Sequence, residues 1–168
     1  PMEGVPLGHR GSDHAQLTFD GLKVGPQDVL GGPDAMGQGF DTAMSGLVPG
    51  RLSVAAGAVG IHRAALRCAV DHVRERVQFG RPLARFQMVQ ERIADGVVEL
   101  LAARQLVHRC ARRRDAGKER PEDLAAAKLY ATDAASRAAE TALMLLGGRG
   151  YTSAYPAERL LRDSFGLR

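Results

Sequence analysis

A helical pattern starts near Phe40, and from Arg51 onward small and apolar residues recur at helical spacing and predict a long helix. Its second half carries one apolar face, formed by Leu66, Ala69, Val70, Val73 and Val77. This is the i, i+3, i+4, i+7 spacing of an amphipathic helix. Its first half is rich in small residues, among them Ser53, Gly57 and Gly60, which permit close approach of another helix or of a ligand. The pattern therefore predicts a core helix with a slim first half.

A second helix is predicted from about Leu83 to Ala116. One of its faces carries the apolar residues Val89, Ile93, Val97 and Leu100. Gly117 ends it, since glycine is common just past a helix C-terminus. Its last turn contains the run Arg112–Arg114, which has two interpretations. A nucleic-acid patch is one, but complementarity with the helix dipole and solvation of the charges is the better explanation.

A third helix begins at Pro121, because proline at the first position and carboxylates in the first turn are typical of a helix start. An alanine-rich face continues it to the glycine pair Gly147-Gly148. A fourth helix begins near Tyr155-Pro156 and is cut short at Arg168. Long helices joined by short links predict a mainly α fold, an antiparallel four-helix bundle whose fourth helix is truncated.

The chain before the helices alternates between polar and apolar residues. Residues 14–20 predict a half-exposed strand, and Gly21 separates it from a second short strand at 22–24. So short a segment cannot form a stable sheet alone, and we expect it to be the end of a larger β domain. The predicted division is residues 1–36, the tail of that β domain and a linker, and residues 37–168, an incomplete helical bundle. Pro1 in place of an initiator methionine suggests a processed or excised piece.

The stretch Arg74–Pro82 ends the first predicted helix with a basic cluster, an aromatic residue and a Gly-x-Pro break. Gly80 and Pro82 do not extend a helix comfortably, so Arg76 and Phe79 are expected at a helix C-terminus and turn, pointing outward. Guanidinium groups at such a place can bind an anion. The alternative is a cation favoured by the helix dipole next to a packed aromatic ring.

Composition and charge narrow the class of protein. The chain has 168 residues, 45% hydrophobic and 25% charged, which is ordinary for a soluble globular protein. Without a run of about 18 apolar residues or a secretory leader, we expect a cytoplasmic protein with no membrane span. Residues 1–50 carry two Lys/Arg against six Asp/Glu, and the net charge of +4 is therefore concentrated in the helical part. That part is expected to prefer an anionic partner, either nucleic acid or a phosphorylated cofactor or substrate.

Candidate catalytic and metal-binding patterns are few. Cys68 and Cys110 fall inside helical patterns and are expected to be reduced and half-buried. The histidines form no metal-binding motif, and we predict His62 and His72 on helix surfaces and no metal site. The glycine-rich run at 147–150 follows a helix rather than a strand, so it is not a dinucleotide-binding fingerprint of the strand-to-helix kind. The tyrosines and small polar residues that follow it either line a pocket or close a loop.

Seven short stretches, taken in order and with their spacing, resemble the acyl-CoA dehydrogenases. They are Arg10-Gly-Ser-Asp13, Gly39-Phe40, Gly50-Arg51, Arg76-x-x-Phe79-Gly80-x-Pro82, Phe86-Gln87-x-x-Gln90, Leu146-Gly-Gly-x-Gly-Tyr151, and Tyr155-Pro-x-Glu-Arg159 through Arg162-Asp163. The resemblance covers nearly the whole chain. It implies a flavoprotein of three parts, of which this chain holds the end of the middle β domain and most of the C-terminal helical bundle.

The resemblance also assigns roles to particular residues. It implies that FAD lies across a subunit interface of a homodimer or homotetramer, and that Arg76 pairs with the FAD pyrophosphate of a neighbouring subunit. Phe79 and Gln87 are implied beside that arginine, and the Gly147-Gly148 backbone near the adenosine. Such roles suit guanidinium forks and glycine backbone.

The reaction that the resemblance implies is α,β-dehydrogenation of an acyl thioester. A carboxylate removes the α-proton, the β-hydrogen leaves as hydride to the flavin, and an electron-transfer flavoprotein or another acceptor reoxidises FAD. Arg51 is implied near the acyl-CoA nucleotide or the mouth of the active site.

Three residues depart from the family pattern. Val48 stands where many members have an aspartate that helps hold CoA, and Met144 replaces a glutamine before the glycine turn. Gly50 precedes Arg51, so the glutamate that serves as base at that position in some subgroups is absent. The other family position for the base follows the last matched Arg-Asp and would lie beyond Arg168. The catalytic base therefore stays unknown.

Two alternatives remain beside the acyl-CoA dehydrogenase. One keeps the fold and the flavin but acts on carrier-protein thioesters, or works as a flavin oxidase or monooxygenase. The other is a non-enzymatic basic helical bundle that binds nucleic acid or protein. The second is less favoured, because the arginines are spread among helix ends rather than gathered on one stripe.

Overall fold

The computed structural model describes residues 4–12 and 14–168. Pro1 and Asp13, which entered the expectations above, lie outside these residues. The described part contains four α-helices and one small hairpin: α1 (Gly39–Glu75), β1 (Val77–Gln78), β2 (Arg81–Pro82), α2 (Gln87–Asp115), α3 (Pro121–Leu146) and α4 (Ala157–Phe165). The prediction of a mainly α fold is confirmed.

Two buried clusters fix the directions of the helices. The cluster toward the start of α1 contains Ala58, Val107 and Ala135. The next cluster along α1 contains Ala69, Ala142 and the half-buried Ile93. Moving forward along α1 thus means moving backward along α2 and forward along α3. In α4, Leu160 belongs to the second cluster and the following Leu167 packs against the first. Successive helices reverse direction, as an antiparallel bundle requires.

Alanine dominates the interface between α1 and α3. Fully buried alanines on these two helices are Ala55, Ala58, Ala65, Ala131, Ala134, Ala135, Ala139 and Ala142. Because alanine projects only a methyl group, the two backbones come close together and leave no room for larger side chains. Leu124, His62, Thr132 and Ser164 are the largest fully buried side chains. The core is therefore thin and sensitive to added volume.

The predicted strands before the helices are not formed. Residues 14–24 are exposed and have no ladder partner in the described chain, and their alternating pattern only makes them extended. A strand needs a neighbour to satisfy its backbone groups, and one is missing here. The only strands among the described residues are β1 and β2, in a stretch that the sequence predicted as a helix end and turn.

Two of the predicted apolar stripes need correction at their edges. Val77 is half exposed because α1 ends at Glu75, which places this valine in the hairpin. Val97 of α2 is also exposed, since the buried face of that helix runs instead through Gly96, Ala103, Val107 and Cys110. A short 3-10 turn at Leu83–Arg85 precedes α2. The helix therefore begins four residues later than predicted.

Residues 7–9 are fastened to α4. The backbone N–H of His9 donates to the Asp163 carboxylate at 2.7 Å, and the His9 imidazole lies 2.8 Å from the Asp163 carbonyl oxygen. The Arg162 guanidinium donates to the Leu7 carbonyl at 2.7 Å. A Cβ on Gly8 would collide with the Arg162 carbonyl oxygen. This contact between segment 7–9 and α4 therefore requires glycine at its centre.

The long helix α1 also meets a criterion for membrane helices. It contains an 18-residue window of mean hydropathy 1.3, of which 11% is buried in the described chain. By length and composition it is apolar enough to cross a membrane, but the core helix of a soluble protein passes the same test. One such helix is weak evidence, and the expectation of no membrane span stays a prediction.

Candidate functional site

The end of α1 continues directly into a tight hairpin. Strands β1 and β2 are antiparallel, with Val77 opposite Pro82 and Gln78 opposite Arg81. The two loop residues both have positive φ, 52° at Phe79 and 76° at Gly80. Two such residues in succession are the requirement of a type I′ turn, whose twist matches that of the strands. The hairpin thus holds a phenylalanine in a backbone region that costs about 1 kcal/mol for a side-chain-bearing residue.

The hairpin presents Phe79 to solvent. This side chain is 92% exposed, although its ring touches Phe86 edge to face with centroids 6.3 Å apart. On the other side of the hairpin the Arg81 guanidinium lies 4.1 Å from the centre of the Phe86 ring. Phe86 therefore anchors the hairpin, while Phe79 remains available for contact with another molecule.

Arg76 is the first residue after α1, and its backbone is held on both sides. Its N–H donates to the His72 carbonyl at 2.9 Å, and its carbonyl accepts from Leu83 N–H at 2.8 Å. Its side chain is exposed and takes part in no ion pair among the described residues. A guanidinium fixed at its base and uncovered at its tip is well placed to bind an anion.

His72 lies one turn before Arg76 and is half-buried. Burial lowers its pKa below the ordinary value, and the positive charges of Arg149 and Arg76 lower it further, whereas Glu75 acts in the opposite direction. Two guanidinium groups therefore approach one imidazole from different elements, α1 and the connection between α3 and α4. Near neutral pH this imidazole is uncharged.

The glycines in the connection after α3 have different structural roles. Gly147 ends the helix with φ of 60°, a conformation that favours glycine. A Cβ on Gly150 would lie 2.5 Å from the Leu143 carbonyl oxygen, so close packing requires its absence. Gly148 has neither constraint, and a Cβ there would meet nothing within 4 Å. Its open side can accept the close approach of another molecule.

A cleft of about 450 Å³ separates the last turns of α1 from this connection. Its lining residues are Ala64, Arg67, Cys68, Asp71, His72, Glu75, Leu146, Arg149, Tyr155 and Pro156. The sequence left open whether the tyrosine-containing segment lines a pocket or closes a loop, and Tyr155 does line this cleft. Basic, acidic and aromatic groups thus meet next to the glycine turn.

The predicted site residues fall into two places. Arg76, Phe79 and Gln87 lie within one short stretch at the end of the bundle, with Gln87 exposed at the first position of α2. The turn at Gly147-Gly148 belongs to the same end, because the flanking Leu146 and Arg149 line one cleft with His72. Arg51 lies 25 residues before Arg76 on α1, about 37 Å along a straight helix at 1.5 Å per residue. The structure does not bring Arg51 to the other predicted residues.

Sequence reasoning missed His72 and Arg149 at this end. His72 was predicted only to lie on a helix surface. Its ring is half-buried and faces a cleft instead. The available signal was the spacing of four residues between His72 and Arg76, which places side chains on one helix face. Arg149 lies within the glycine-rich run, of which only the glycines were predicted to have a role.

The prediction of a surface position for His62 is wrong. The ring is 0% exposed and its Nε2 lies 2.9 Å from the Gly96 carbonyl oxygen, because α2 packs over it where Gly96 has no side chain. Burial lowers its pKa. Burial likewise raises the pKa of both cysteine thiols, Cys68 and Cys110, which are free. Neither thiol is activated as a nucleophile.

The basic run at the end of α2 is engaged within the chain. Arg113 pairs with Asp123 at 3.5 Å and Arg114 with Glu119 at 3.2 Å. This favours dipole complementarity and solvation over a nucleic-acid patch. In residues 4–12 and 14–168, no group of three His, Cys, Asp or Glu side chains lies close enough to hold a metal ion.

Fold and site together define a basic four-helix bundle domain with one end left open, where guanidinium groups and glycine backbone are uncovered. The family model described as "Acyl-CoA dehydrogenase, C-terminal domain" matches residues 37–168. The chain belongs to the acyl-CoA dehydrogenase family. The boundary at residue 37 between a β-domain tail and the bundle stays a prediction.

Individual relatives agree with this assignment. The chain is 43% identical over 158 residues to a mitochondrial isovaleryl-CoA dehydrogenase of Oryza sativa subsp. japonica, covering 94% of this chain and 38% of the relative. The butyryl-CoA dehydrogenase structure from Megasphaera elsdenii superimposes with a TM-score of 0.76 at 43% identity, over 78% of this chain and 34% of that one. A glutaryl-CoA dehydrogenase in complex with glutaryl-CoA gives 0.88 at 38% identity, over 96% and 40%. The chain thus spans about two fifths of the length of such relatives.

Proposed function

We propose that this chain is part of an FAD-dependent acyl-CoA dehydrogenase that catalyses α,β-dehydrogenation of an acyl thioester. Membership of the family supports the reaction class, and three named relatives act on isovaleryl-, butyryl- and glutaryl-CoA by their names. One observation of this chain carries the proposal: Arg76 is uncovered at a helix end held by backbone hydrogen bonds, at the end of the bundle that also carries a glycine turn with an open side.

The residues at this end fit the chemistry of FAD. The cofactor has a pyrophosphate, which a guanidinium fork such as that of Arg76 matches with two parallel hydrogen bonds. In the same stretch of chain, Phe79 offers an exposed ring and Gln87 an exposed amide. The backbone at Gly147 and Gly148 has no side chain to keep the adenosine portion away. FAD, when bound, supplies the acceptor for the β-hydride.

The binding partner of the FAD is proposed to be a second subunit. Phe79 projects away from its own bundle, so contacts made by this hairpin reach outward. A homodimer or homotetramer would place the hairpin of one subunit against the FAD of the next. Acyl-CoA or another acyl thioester is the proposed substrate, with an electron-transfer flavoprotein or another acceptor taking the electrons.

Arg51 is proposed to contact the substrate. It is half-buried on the slim half of α1, where the neighbouring Gly50 and Gly57 would allow a ligand to approach the helix. Its distance from Arg76 is consistent with two sites on one helix. The catalytic base is not proposed from this chain.

Cofactor binding tests the proposal directly. In the full-length protein, Arg76→Ala should weaken FAD binding about 10-fold or more, since a hydrogen bond to a charged group contributes about 1.5–3 kcal/mol. Arg63→Ala is the matched control, because Arg63 is also exposed on α1 but lies far from the hairpin. Fluorescence titration of the apoprotein with FAD measures both. Equal affinity of the two variants would refute the assigned role of Arg76.

Substrate specificity needs a separate experiment. Adding a panel of acyl-CoA thioesters to the FAD-loaded protein without oxygen should bleach the flavin absorbance with at least one of them. A second candidate acts on carrier-protein thioesters or as an oxidase or monooxygenase. It is favoured by Val48, which packs against the buried cluster of Cys110, Leu124 and Ala127 instead of offering a carboxylate. Bleaching by an acyl carrier protein alone would support that candidate.

The chain of 168 residues by itself is predicted to be colourless and inactive. Its proposed FAD contacts are shared with another subunit and with parts of the relatives that it does not span. An absorbance spectrum of the purified chain after incubation with FAD checks this, and a retained flavin band would contradict it. Cytoplasmic location also stays a prediction, since the Oryza relative is described as mitochondrial.

A further inference from the structure

The side of α2 that faces away from the bundle carries large apolar side chains. The buried face of this helix runs through Gly96, Ala103 and Cys110. A residue two positions away is turned by about 200° around an α-helix, so Val98 and Leu101 lie on the opposite side. Val98 is 65% exposed and Leu101 is 54% exposed. A helix that is apolar on both sides is normally covered on both, and α2 is covered here on one side only.

This outer side has the spacing of a coiled-coil seam. Exposed residues recur along it at alternating intervals of three and four positions, and they are Glu91, Ala94, Val98, Leu101, Gln105, His108 and Arg112. We call these seven residues the outer seam. Such spacing keeps the side chains of a helix facing a second helix that packs along it at a shallow angle. The outer seam is apolar in its middle and charged at its two ends.

The charges on and beside the outer seam change sign along α2. Glu91 and Asp95 lie toward the start of the helix. Arg109 and Arg112 lie toward its end. All four are exposed, and none takes part in an ion pair within the part of the chain that the structure describes. Two such helices in antiparallel orientation bring the acidic half of each against the basic half of the other, whereas a parallel orientation would bring like charges together.

Other charged residues of α2 do not cancel this sign change. Arg92 is four positions before Gly96 and shares its side of the helix, away from the outer seam. Glu99 is half-buried and accepts a hydrogen bond from Arg137 of α3 at 2.8 Å. Arg104 is exposed and adds positive charge to the second half. The outer seam is therefore complementary in charge to a reversed copy of itself.

We propose that the outer seam is a contact between two copies of this chain, in which the two α2 helices pack antiparallel about a two-fold axis. The axis passes between Val98 and Leu101, so that Val98 of one copy lies against Leu101 of the other. Glu91 of each copy then lies beside His108 of the other copy, one turn from its Arg112. A two-fold contact uses the same patch on both copies, as in most closed oligomers. This contact needs no FAD and does not involve the hairpin, so it stands apart from the proposed function.

Cysteine variants of the full-length protein test the geometry of the contact. With this axis, position 91 of one copy lies opposite position 108 of the other, while the two copies of position 91 are about 26 Å apart along the helices. Glu91→Cys combined with His108→Cys should therefore form a disulfide between copies under mild oxidation, and neither substitution alone should do so. Non-reducing electrophoresis measures this against the parent protein. A crosslinked dimer of the Glu91→Cys single variant would overturn the antiparallel arrangement.

Charge reversals test whether the two halves of α2 pair across the contact. Glu91→Lys combined with Asp95→Lys leaves only positive charges beside the outer seam, and it should raise the dissociation constant of the contact about 10-fold or more. Adding Arg109→Glu and Arg112→Glu to that variant reverses both halves, and it should bring the constant back to within about 3-fold of the parent. Sedimentation velocity over a range of protein concentrations measures both variants. Failure of the fully reversed variant to recover would show that these charges do not meet.

The apolar middle is tested by Val98→Asp. A carboxylate there would be enclosed in the contact without a partner, so the dissociation constant should rise about 10-fold or more. Leu129→Asp is the matched control, because Leu129 is 62% exposed on α3 and lies outside the outer seam. It should leave the constant within about 2-fold of the parent. Thermal unfolding of each variant verifies that it is folded.

The outcomes separate this contact from the proposed function. If Val98→Asp sediments like Leu129→Asp and the cysteine pair forms no dimer, the contact is refuted even where Arg76→Ala weakens FAD binding as expected. A folded parent that is monomeric refutes it as well, and a Val98→Asp variant that then loses thermal stability would show that another part of the same chain covers the outer seam. Dissociation of the Val98→Asp variant together with crosslinking of the cysteine pair supports the contact, whether or not the protein binds FAD.

Discussion

The middle of α1 buries a polar side chain, whereas its end leaves polar side chains open to a cleft or to solvent. In the middle, His62 is enclosed between helices and satisfied at one nitrogen by a backbone carbonyl, while no described residue bonds to its Nδ1. At the end, His72 faces a cleft and Arg76 reaches into solvent. Both stretches belong to one continuous helix. Along α1, the middle thus packs against other helices, and the candidate functional residues lie at its end.

This difference arises from the elements that pack against each part of α1. The middle of α1 lies against the alanine-rich face of α3, where close backbones exclude water and leave no space for a ligand. Beside the end lie the hairpin, the short turn before α2 and the α3–α4 connection, whose glycines contribute no side-chain volume. The end of α1 therefore combines a cleft with the exposed guanidinium group of Arg76, whereas the buried alanine contacts in the middle of α1 are closely packed.

The largest predicted effect comes from adding volume to the middle. Ala135→Leu introduces three carbon atoms at a fully buried contact between α3 and α1, and it should lower the free energy of unfolding by about 1–3 kcal/mol. Ala125→Leu is the control, because Ala125 is exposed on the same helix. Denaturant unfolding of both variants measures the difference. Equal stabilities would show that the α1–α3 interface is looser than the structure has it.

The buried His62 should make stability depend on pH. Its folded-state pKa lies below the ordinary value of 6.5, so the folded chain binds fewer protons than the unfolded chain as the pH falls through that value. The contribution of neutral His62 to the free energy of unfolding is fully present above about pH 6.5. It is lost as the pH falls below that value, by at most about 1.4 kcal/mol per pH unit.

Unfolding at pH 7.5 and pH 5.5 tests this, with His62→Gln expected to reduce the pH dependence by at least half. His108→Gln replaces an exposed histidine of α2 and should retain the full dependence of the parent chain. If the two variants show the same dependence of stability on pH, His62 in the middle of α1 is not the source of that dependence.

Glycines in the two parts of the chain should respond in opposite directions. Gly80→Ala puts a side chain at φ of 76° in the hairpin and should destabilise it by about 1 kcal/mol. Gly57→Ala lies inside α1, where a Cβ meets nothing within 4 Å, and it should stabilise the purified chain by about 0.8–1 kcal/mol. Thermal unfolding of both variants gives the signs. The same sign for both would contradict the assigned backbone conformations.

The smallest effect is expected for the exposed ion pair near the end of α1. Asp71→Ala removes the partner of Arg67 at 3.8 Å, where both side chains are largely exposed. Pairs of this kind contribute about 0.3–0.5 kcal/mol, and the loss should shrink further in 1 M salt. Unfolding curves at low and high salt check it, and a loss above 1 kcal/mol would mean that this carboxylate has an additional partner.

The helices were predictable from the sequence because each one has its own apolar period and its own end signals. Pro121 and Gly147 mark the start and the end of α3, and the alanine face between them is buried as expected. The segments at 14–24, predicted as strands, form no ladder within the described residues, and their assignment to the end of a larger β domain stays a prediction. Alternation of polar and apolar residues indicates only that a segment can be extended. A β ladder also needs a second strand, which the local sequence does not contain.

The candidate site was predictable only in part. Arg76 and Phe79 follow from a helix end and a turn, both local features. His62 was misplaced because its polarity was weighed alone, although it continues the buried series of Ala58 and Ala65 at helical spacing. The approach of Arg149 to His72 joins residues 77 positions apart, and no local pattern indicates it. Such contacts depend on how the helices pack, which the sequence pattern does not fix.

The contact between segment 7–9 and α4 has a consequence for synthesis. Its hydrogen bonds join residues 154 positions apart, so on the ribosome they cannot form until residue 163 has left the exit tunnel. The alanine-lined helices α1, α2 and α3 can pack before then, since their partners emerge earlier. Docking of α4 onto His9 thus follows the packing of α1, α2 and α3, and a nascent chain stalled before residue 157 would leave segment 7–9 open to proteases.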